Sequence, residues 1–298
     1  MKPVVFLIMS VGPFEKNGSC KYFISIGGKD NIIVVLPKQF AKHAKSYEEN
    51  GIRVFIYDER KYINDSFEFF GFKPRNCGGV GRQGIAEAVD TLDDGKTIFC
   101  QVDDDTSMFG VTIRSTVNQS GWKTRIIKNF KNLEKIINLF DEFYKATGIK
   151  IQGKTGASIM AVGDYFFSNR KIFNNFIMYP EDKLKGDGFK ALCSDDVRYN
   201  LHKNLIDCTP MASTNRLVIT FLQSQGDRKD GNAPLYNKDC SWKKSFANRL
   251  YNPVYAIQYI AREKNRILFR ETMRYTLLYP PVYLTDKDGK ITSKLIFK

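Results

Sequence analysis

The sequence predicts an α/β fold in which a mixed, mostly parallel sheet is flanked by helices. Apolar segments of strand length alternate with helical patterns between residues 4 and 104, which indicates βαβ units and a parallel sheet. An acidic triplet, Asp103 to Asp105, ends the last of these segments. Ligands of parallel sheets bind beyond the carboxyl ends of the strands. The triplet therefore lies where a binding site is expected.

The first third of the chain contains four predicted strands and two predicted helices. The strands cover residues 4–12, 31–37, 52–59 and 96–104. The helices cover residues 38–51, where Gly51 can end the helix, and residues 82–95. Helical spacing predicts buried faces formed by Phe40, Ala44 and Tyr47 in the first helix and by Ile85, Ala88, Val89 and Leu92 in the second. The segment 60–80 is expected to be irregular.

The rest of the chain is mixed in character. The pattern predicts a helix over 132–148, strand-like pieces over 157–167 and 171–180, a helix over 194–207 and a strand from residue 216. We find neither an internal repeat nor a convincing flexible linker. The simplest organisation is a single domain over residues 1–298, or a domain with a closely packed extension.

Composition narrows the class of protein. The formal net charge is +14, and residues 241–298 contain 12 Lys and Arg against 4 Asp and Glu. Clustered basic charge favours a polyanionic partner, although a merely soluble basic surface explains it equally well. The six cysteines are scattered without CxxC spacing, and there is no run of about 18 apolar residues. We expect a protein of the reducing cytosol without a disulfide framework, a structural zinc site or a membrane span.

One tempting motif is rejected on physical grounds. Residues 148–155 match the P-loop pattern G-x-x-x-x-G-K-[ST] through Gly148, Gly153, Lys154 and Thr155. A P-loop follows a strand and wraps backbone N–H groups around a phosphate. Here a predicted helix precedes the motif, and the intervening Ile-Lys-Ile-Gln favours an extended strand. We therefore expect a strand that enters a glycine turn.

The segment from residue 77 to residue 105 carries the predicted chemistry. A glycine-rich loop is expected to present Arg82 at a helix start, and the strand after that helix delivers the acidic triplet. Glycines permit close approach of the backbone to a ligand, and arginine supplies a fixed cation for a phosphate or a neighbouring carboxylate. Carboxylates hold Mg²⁺ or Mn²⁺, which usually bridge to substrate phosphates. Together these residues predict a site for a metal-bound diphosphate compound.

This order of strands, helices and motifs resembles the nucleotide-sugar half of GT-A glycosyltransferases, whose DxD element binds a metal and a sugar nucleotide. The resemblance implies a GT-A-like fold with a nucleotide-sugar half at 1–110 and an acceptor half with a basic extension at 111–298. Ser10 stands where such enzymes usually meet the nucleobase. The nucleotide-sugar residues that it implies are Ser10, Gly81, Arg82, Asp103 and Asp104, and the metal residues are Asp103 and Asp105.

The second half contains a further acidic pair, in "SDDVRYNLHK" at a predicted helix start. It resembles the later acidic pair of GT-A enzymes, one carboxylate of which takes the proton from the acceptor hydroxyl in inverting members. Asp196 aligns with the second acid and is the preferred base, with Asp195 as the alternative. Ordinary helix capping by aspartate is the plainer explanation of the same pair.

The pattern "GVGRQGIAEAVD…IFCQVDDDTSMF" looks most like the TET/JBP-associated glycosyltransferases of bacteriophages, which are thought to modify hydroxymethylated bases in DNA. This resemblance implies a metal-dependent hexosyltransferase that moves glucose from UDP-glucose onto 5-hydroxymethylcytosine or a related pyrimidine. It implies Mn²⁺ or Mg²⁺ as the cofactor and a place in the cytoplasm of the infected bacterium. We expect a monomer.

Aromatic and basic residues interleave near the end of the chain, where they can stack on an exposed base and hold phosphates. The predicted DNA-binding residues are Trp242, Lys243, Lys244 and Arg249. For any one of them, a buried tryptophan or a solvated lysine is the plainer explanation. Two other functions stay open. One is a GT-A enzyme with a protein, glycan or small-molecule acceptor, and the other is a non-enzymatic nucleic-acid-binding protein.

Overall fold

The computed structural model describes residues 1–62, 78–114 and 122–147 and six shorter segments, which are 150–155, 167–168, 176–179, 211–221, 258–263 and 266–271. The strands in these parts are β1 Val4–Met9, β2 Ile32–Pro37, β3 Arg53–Tyr57, β4 Ile98–Asp103, β5 Thr106–Arg114, β6 Trp122–Ile126, β7 Lys150–Thr155, β8 Phe167–Ser168, β9 Phe176–Tyr179, β10 Met211–Phe221, β11 Gln258–Glu263 and β12 Arg266–Glu271. The α-helices are α1 Gly18–Ser25, α2 Ala44–Glu48, α3 Gly78–Leu92 and α4 Phe130–Thr147.

The first sheet has the strand order β3-β2-β1-β4-β9. Strands β1 to β4 are mutually parallel, and β9 pairs with β4 in the antiparallel direction. β2 is buried along its whole length, as expected for a central parallel strand covered on both faces. The predicted α/β fold with a mixed, mostly parallel sheet flanked by helices is confirmed, and all four predicted strands of the first third are present.

The order of the strands reverses beside β1. The chain moves outward from β1 to β2 and β3, and then returns to place β4 on the other side of β1. Such a reversal leaves a crevice at the carboxyl ends of the two central strands, which is where open α/β sheets bind ligands. Residues that follow β1 and β4 are therefore placed at the ligand edge of the sheet.

A second sheet has the order β6-β5-β10-β7, with β8 also paired to β10. β7 contains three of the four P-loop residues and pairs in parallel with β10. An extended, paired backbone cannot form the loop that cradles a phosphate. For residues 150–155 the rejection of a P-loop is therefore confirmed. β11 and β12 form a separate antiparallel pair.

The helices differ from the prediction in instructive ways. α1 was not predicted. Its N-cap is Asn17, whose side chain accepts a hydrogen bond from the backbone N–H of Cys20 at 2.9 Å. The predicted helix 38–51 is split into a 3-10 segment, Lys38–His43, and the short α2. Gly51 follows it with a φ of +68°, the left-handed conformation that glycine adopts without strain.

The helix predicted over 82–95 begins earlier, at Gly78, and ends at Leu92. Ile85, Ala88 and Val89 are buried as predicted, but Leu92 is exposed because it occupies the last position of the helix. The glycine-rich segment is thus helical from residue 78, and Arg82 lies inside α3 rather than at its start. The prediction of a loop before Arg82 was wrong for residues 78–81. α4 agrees with the predicted helix 132–148 within two residues at its start.

An aromatic cluster joins the first sheet to the helices and to β5. Phe6 of β1 lies 4.5 Å from Phe23 of α1, 5.8 Å from Phe109 of β5 and 6.1 Å from Phe130 of α4, measured between ring centroids. All four rings are buried. Burial of such side chains is the main stabilising contribution to a core of this kind.

No helix within the described residues has the length and apolar character needed to cross a membrane.

Candidate functional site

The acidic turn, defined as Asp103, Asp104 and Asp105, stands at the carboxyl end of β4, as the sequence predicts. Asp104 and Asp105 form the two-residue turn between β4 and β5. β4 belongs to the first sheet and β5 to the second. The chain therefore passes from one sheet to the other within this turn, and pairing on both sides restrains its backbone.

The beginning of α1 holds the backbone of the acidic turn. Ser19 is fully buried, and its N–H donates to the carbonyl oxygen of Asp104 at 3.1 Å. Its hydroxyl donates to the carbonyl oxygen of Asp103 and accepts from the backbone N–H of Thr106 at 2.9 Å. One serine thus contacts the backbone of the first two residues of the turn and of Thr106, which directly follows it.

The end of β1 reaches the same turn through a side chain. Ser10, which directly follows β1, is 2% exposed. Its hydroxyl donates to Oδ2 of Asp104 at 2.9 Å. This contact joins positions 94 residues apart in the chain. It shows that the two predicted residues meet at the ligand edge between β1 and β4, and it gives Asp104 a defined side-chain partner.

Arg82 approaches the turn from α3. Its Nη2 atom lies 3.6 Å from Oδ1 of Asp103, and the two side chains are 8% and 16% exposed. At this distance and degree of burial the pair is held mainly by charge attraction in a medium less polar than water. Of the two partners predicted for Arg82, a phosphate or a neighbouring carboxylate, the structure contains the carboxylate of Asp103, and nucleotide-sugar binding by Arg82 stays a prediction.

The helical glycines of α3 serve its packing on the sheet. A Cβ atom added to Gly81 would lie 2.1 Å from Sδ of Met9, and one added to Gly84 would lie 2.5 Å from the Tyr57 ring. The absence of side chains lets the helix lie close to β1 and β3, which in turn brings Arg82 to the acidic turn. This close approach is between helix and sheet, and the predicted approach of Gly81 to a ligand stays a prediction.

The three carboxylates differ in exposure. Asp103 and Asp104 are partly exposed, whereas Asp105 is 7% exposed. Beneath them lies Cys20, whose thiol pKa is raised well above its ordinary value, first by burial and then by the charge of Asp104. The Cys20 thiol is consequently protonated at neutral pH, which makes it a poor nucleophile.

The donor chemistry of the turn fits a hard divalent cation. Carboxylate oxygens are the ligands that Mg²⁺ and Mn²⁺ prefer, and such ions usually take one or two carboxylates plus substrate phosphates and water. Among the described residues there is no group of three or more His, Cys, Asp or Glu side chains arranged as a complete metal centre. The carboxylates of the turn match the one or two that Mg²⁺ usually takes together with substrate phosphates.

Several predicted residues lie outside the described part of the chain. These are Asp195, Asp196, Trp242, Lys243, Lys244 and Arg249. The predicted helix 194–207 and the Gly148 end of the P-loop motif also lie there. Their roles stay predictions.

Three residues that the sequence did not predict as part of the site support it: Ser19 contacts the acidic turn, Tyr47 contacts Ser10, and Asn17 contacts Tyr47. Asn17 gives a recognisable signal, because asparagine before a short helical segment favours an N-cap. Tyr47 was predicted only as part of a buried helical face. Nothing local marks Ser19, since its partners lie more than 80 residues away in the sequence.

Neither a protein-family model nor a curated protein sequence matches the chain. Among solved structures, glucosyl-3-phosphoglycerate synthase from Mycobacterium tuberculosis with Mn²⁺, UDP and glucosyl-3-phosphoglycerate is 8% identical, with a TM-score of 0.44 over 91% of this chain and 87% of that one. The same synthase with Mn²⁺, UDP-glucose and phosphoglyceric acid is 9% identical, with a TM-score of 0.42 over 91% and 90%.

Mannose-1-phosphate geranyltransferase from Thermus thermophilus is 11% identical, with a TM-score of 0.30 over 84% of this chain and 64% of that one. Identities and TM-scores this low assign neither a family nor an activity.

Proposed function

We propose that the protein is a metal-dependent glycosyltransferase of GT-A type that transfers a hexose from a UDP-sugar. One observation carries the proposal. Ser10 and the acidic turn meet at the crevice between β1 and β4, with a buried arginine 3.6 Å from the first carboxylate. Carboxylates and a fixed cation at the switch point of a parallel sheet are suited to a metal-bound nucleoside diphosphate.

Each residue of the turn has a distinct part in this proposal. Asp103 and Asp105 hold the cation, and Arg82 restrains Asp103 while adding positive charge on the side where the diphosphate leaves. A bound Mn²⁺ or Mg²⁺ supplies Lewis-acid stabilisation of the departing diphosphate. Ser10, Gly81 and Asp104 line the nucleotide-sugar site, and polar groups that are already held in place need little rearrangement as charge develops.

The proposed acceptor is a hydroxymethylated pyrimidine, with 5-hydroxymethylcytosine in DNA as the first choice and glucose as the sugar. The support is the excess of basic residues in positions 241–298, interleaved with aromatic residues that suit an extruded base. Asp196, or Asp195, takes the proton from the acceptor hydroxyl if the reaction inverts configuration. A DNA partner further predicts that binding weakens steeply as salt rises.

Sugar transfer is the decisive experiment. The protein is incubated with UDP-glucose, Mn²⁺ and duplex DNA carrying 5-hydroxymethylcytosine, and the digested nucleosides are weighed by mass spectrometry. We expect a hexose on the modified nucleoside, and its loss in Asp103→Asn and Asp105→Asn proteins that remain folded. Asp30→Asn is the matched control, because Asp30 is an exposed carboxylate outside the site.

The outcomes separate the alternatives. Release of UDP that depends on Asp105, without modified DNA, keeps the glycosyltransferase and favours a protein, glycan or small-molecule acceptor. Tight DNA binding with no transfer or hydrolysis of any UDP-sugar favours a non-enzymatic nucleic-acid-binding protein. An Asp105→Asn protein with full activity contradicts the metal assignment.

A further inference from the structure

A chain of buried hydrogen bonds runs behind the acidic turn. The Tyr47 hydroxyl is a donor with two acceptors within reach of its proton, Oγ of Ser10 at 3.2 Å and the carbonyl oxygen of Gly12 at 2.8 Å. Ser10 in turn donates to Asp104 at 2.9 Å. Tyr47 is fully buried, so it cannot contact a substrate itself. Any effect of Tyr47 on binding at the acidic turn is therefore transmitted by Ser10 and the residues next to it.

The Tyr47 hydroxyl is held in place from two further sides. Nδ2 of Asn17 donates to it at 3.2 Å, while Oδ1 of the same Asn17 caps α1. The Tyr47 ring packs edge-on against Phe14 with 6.1 Å between centroids. Tyr47 therefore joins two elements that both reach the acidic turn, which are the end of β1 through Ser10 and the start of α1 through Asn17.

We propose that Tyr47 is a positioning residue of the acidic turn: it sets the Ser10 hydroxyl toward Asp104 and thereby fixes the turn whose neighbouring carboxylates, Asp103 and Asp105, hold the proposed divalent cation. The inference rests on the proposed function, because it names what holds the proposed cation site in shape. Residues that orient metal ligands typically change metal affinity by about 10-fold or more when they are removed. Neither sequence pattern nor burial alone distinguishes Tyr47 from an ordinary core tyrosine.

Tyr22 supplies a matched control. It too is a buried tyrosine, and its hydroxyl donates to a backbone carbonyl, that of Ile127, at 3.0 Å. Tyr22→Phe and Tyr47→Phe each remove one hydroxyl from the same core, and Tyr47→Phe should lower thermal stability more, because among the described residues its hydroxyl has three partners and that of Tyr22 has one. Only Tyr47→Phe removes a hydroxyl connected to Ser10. At a temperature at which both proteins are folded, a difference between them in cation binding therefore reports positioning, since both keep the aromatic ring and lose a buried hydroxyl.

The test measures Mn²⁺ affinity by water-proton relaxation in the presence of UDP for the whole chain. Expected results are about 10-fold weaker binding for Tyr47→Phe and an unchanged value for Tyr22→Phe. The Ser10→Ala protein and the Ser10→Ala/Tyr47→Phe double variant should bind equally weakly, because Tyr47 acts through Ser10. Equal affinity in wild type and Tyr47→Phe, or additive losses in the double variant, would overturn the inference.

A second measurement keeps the two proposals apart. Asp103→Asn must abolish Mn²⁺ binding if the proposed function is correct, and wild-type protein that binds no Mn²⁺ overturns the proposed function.

Hydrogen exchange of the peptide containing the amide of Thr106 is measured in the same proteins without metal. Faster exchange in Tyr47→Phe than in Tyr22→Phe supports positioning of the turn, and equal exchange in the two contradicts it.

Discussion

Ser10 shows how much a single side chain contributes to the site. Its hydroxyl donates a hydrogen bond to Asp104. The contact between Ser10 and a nucleobase that the family resemblance implies therefore has to use the Ser10 backbone or the lone pairs of its hydroxyl oxygen. Fixing Asp104 in this way also separates the roles of the three carboxylates. Asp104 accepts a hydrogen bond from Ser10, which directly follows β1, and Asp103 forms an ion pair with Arg82.

Arg82 gives the first prediction at the residue scale. Arg82→Ala should lower the free energy of unfolding by about 3 kcal/mol, because removing one member of a buried pair leaves the charge of Asp103 poorly compensated. Urea unfolding checks the value. Lys61→Ala is the control, since the Lys61–Glu87 pair involves a side chain that is 58% exposed, and an exposed pair should contribute less than about 1 kcal/mol. Equal effects of the two substitutions would contradict the buried-pair interpretation.

At the scale of elements, α1 and α3 do the most to build the site. α1 places Ser19 against the backbone of the acidic turn, and α3 brings Arg82 to its first carboxylate. Both helices depart from the sequence prediction. α1 is only eight residues long, too short for helical periodicity to stand out. α3 includes glycines that disfavour a helix by about 1 kcal/mol each, and packing on the sheet overrides that preference.

The glycines of α3 give a prediction at this scale. Gly84→Ala should destabilise the protein by about 1–3 kcal/mol, even though alanine is the better helix former. The reason is that the new Cβ would lie 2.5 Å from the buried, rigid ring of Tyr57. Gly81→Ala should cost less, because Met9, which it would meet at 2.1 Å, can change rotamer. Thermal unfolding of both variants tests the order, and the reverse order would show that Met9 cannot yield.

At the scale of the whole molecule, burial sets the response to alkaline pH. Burial raises the pKa of Tyr22 to about 12 and that of Tyr47 to about 12, with hydrogen bonds from neighbours acting in the opposite direction. Both tyrosines are therefore neutral hydrogen-bond donors throughout the physiological range. Their contribution to stability is complete below the unfolded pKa of about 10 and is lost as pH rises toward the folded value.

The resulting prediction concerns the free energy of unfolding between pH 9 and pH 11. It should fall as the unfolded chain releases tyrosyl protons that the folded chain keeps. Tyr22→Phe and Tyr47→Phe should each reduce that fall, by up to about 1 kcal/mol at pH 11. Urea titrations at fixed pH values provide the measurement. Curves for wild type and variants that stay parallel over this range would show that these two groups do not titrate differently on folding.

The position of the site at the ends of β1 and β4 could be predicted because the sequence patterns that indicate it are local. Each of the four strands of the first third is a short apolar run, and the acidic triplet directly follows the last of them. Parallel strands align their carboxyl ends at one edge, so Ser10 and Asp103 could be expected to lie together without any coordinates. The residues that support them could not, because Ser19 and Tyr47 act across separations of 84 and 37 residues.

By itself the sequence determined the class of fold, the edge of the sheet where chemistry is expected and the carboxylates at that edge, since these follow from periodicity and from the position of charge relative to each strand. Only the tertiary structure decided that the glycine-rich segment is helical, that Arg82 pairs with Asp103, and that buried Ser19 and Tyr47 stand behind the acidic turn. The physical reason is that these three features depend on contacts between elements that are distant in the sequence. Such contacts form only when helices and sheets pack together, and local sequence patterns do not determine them.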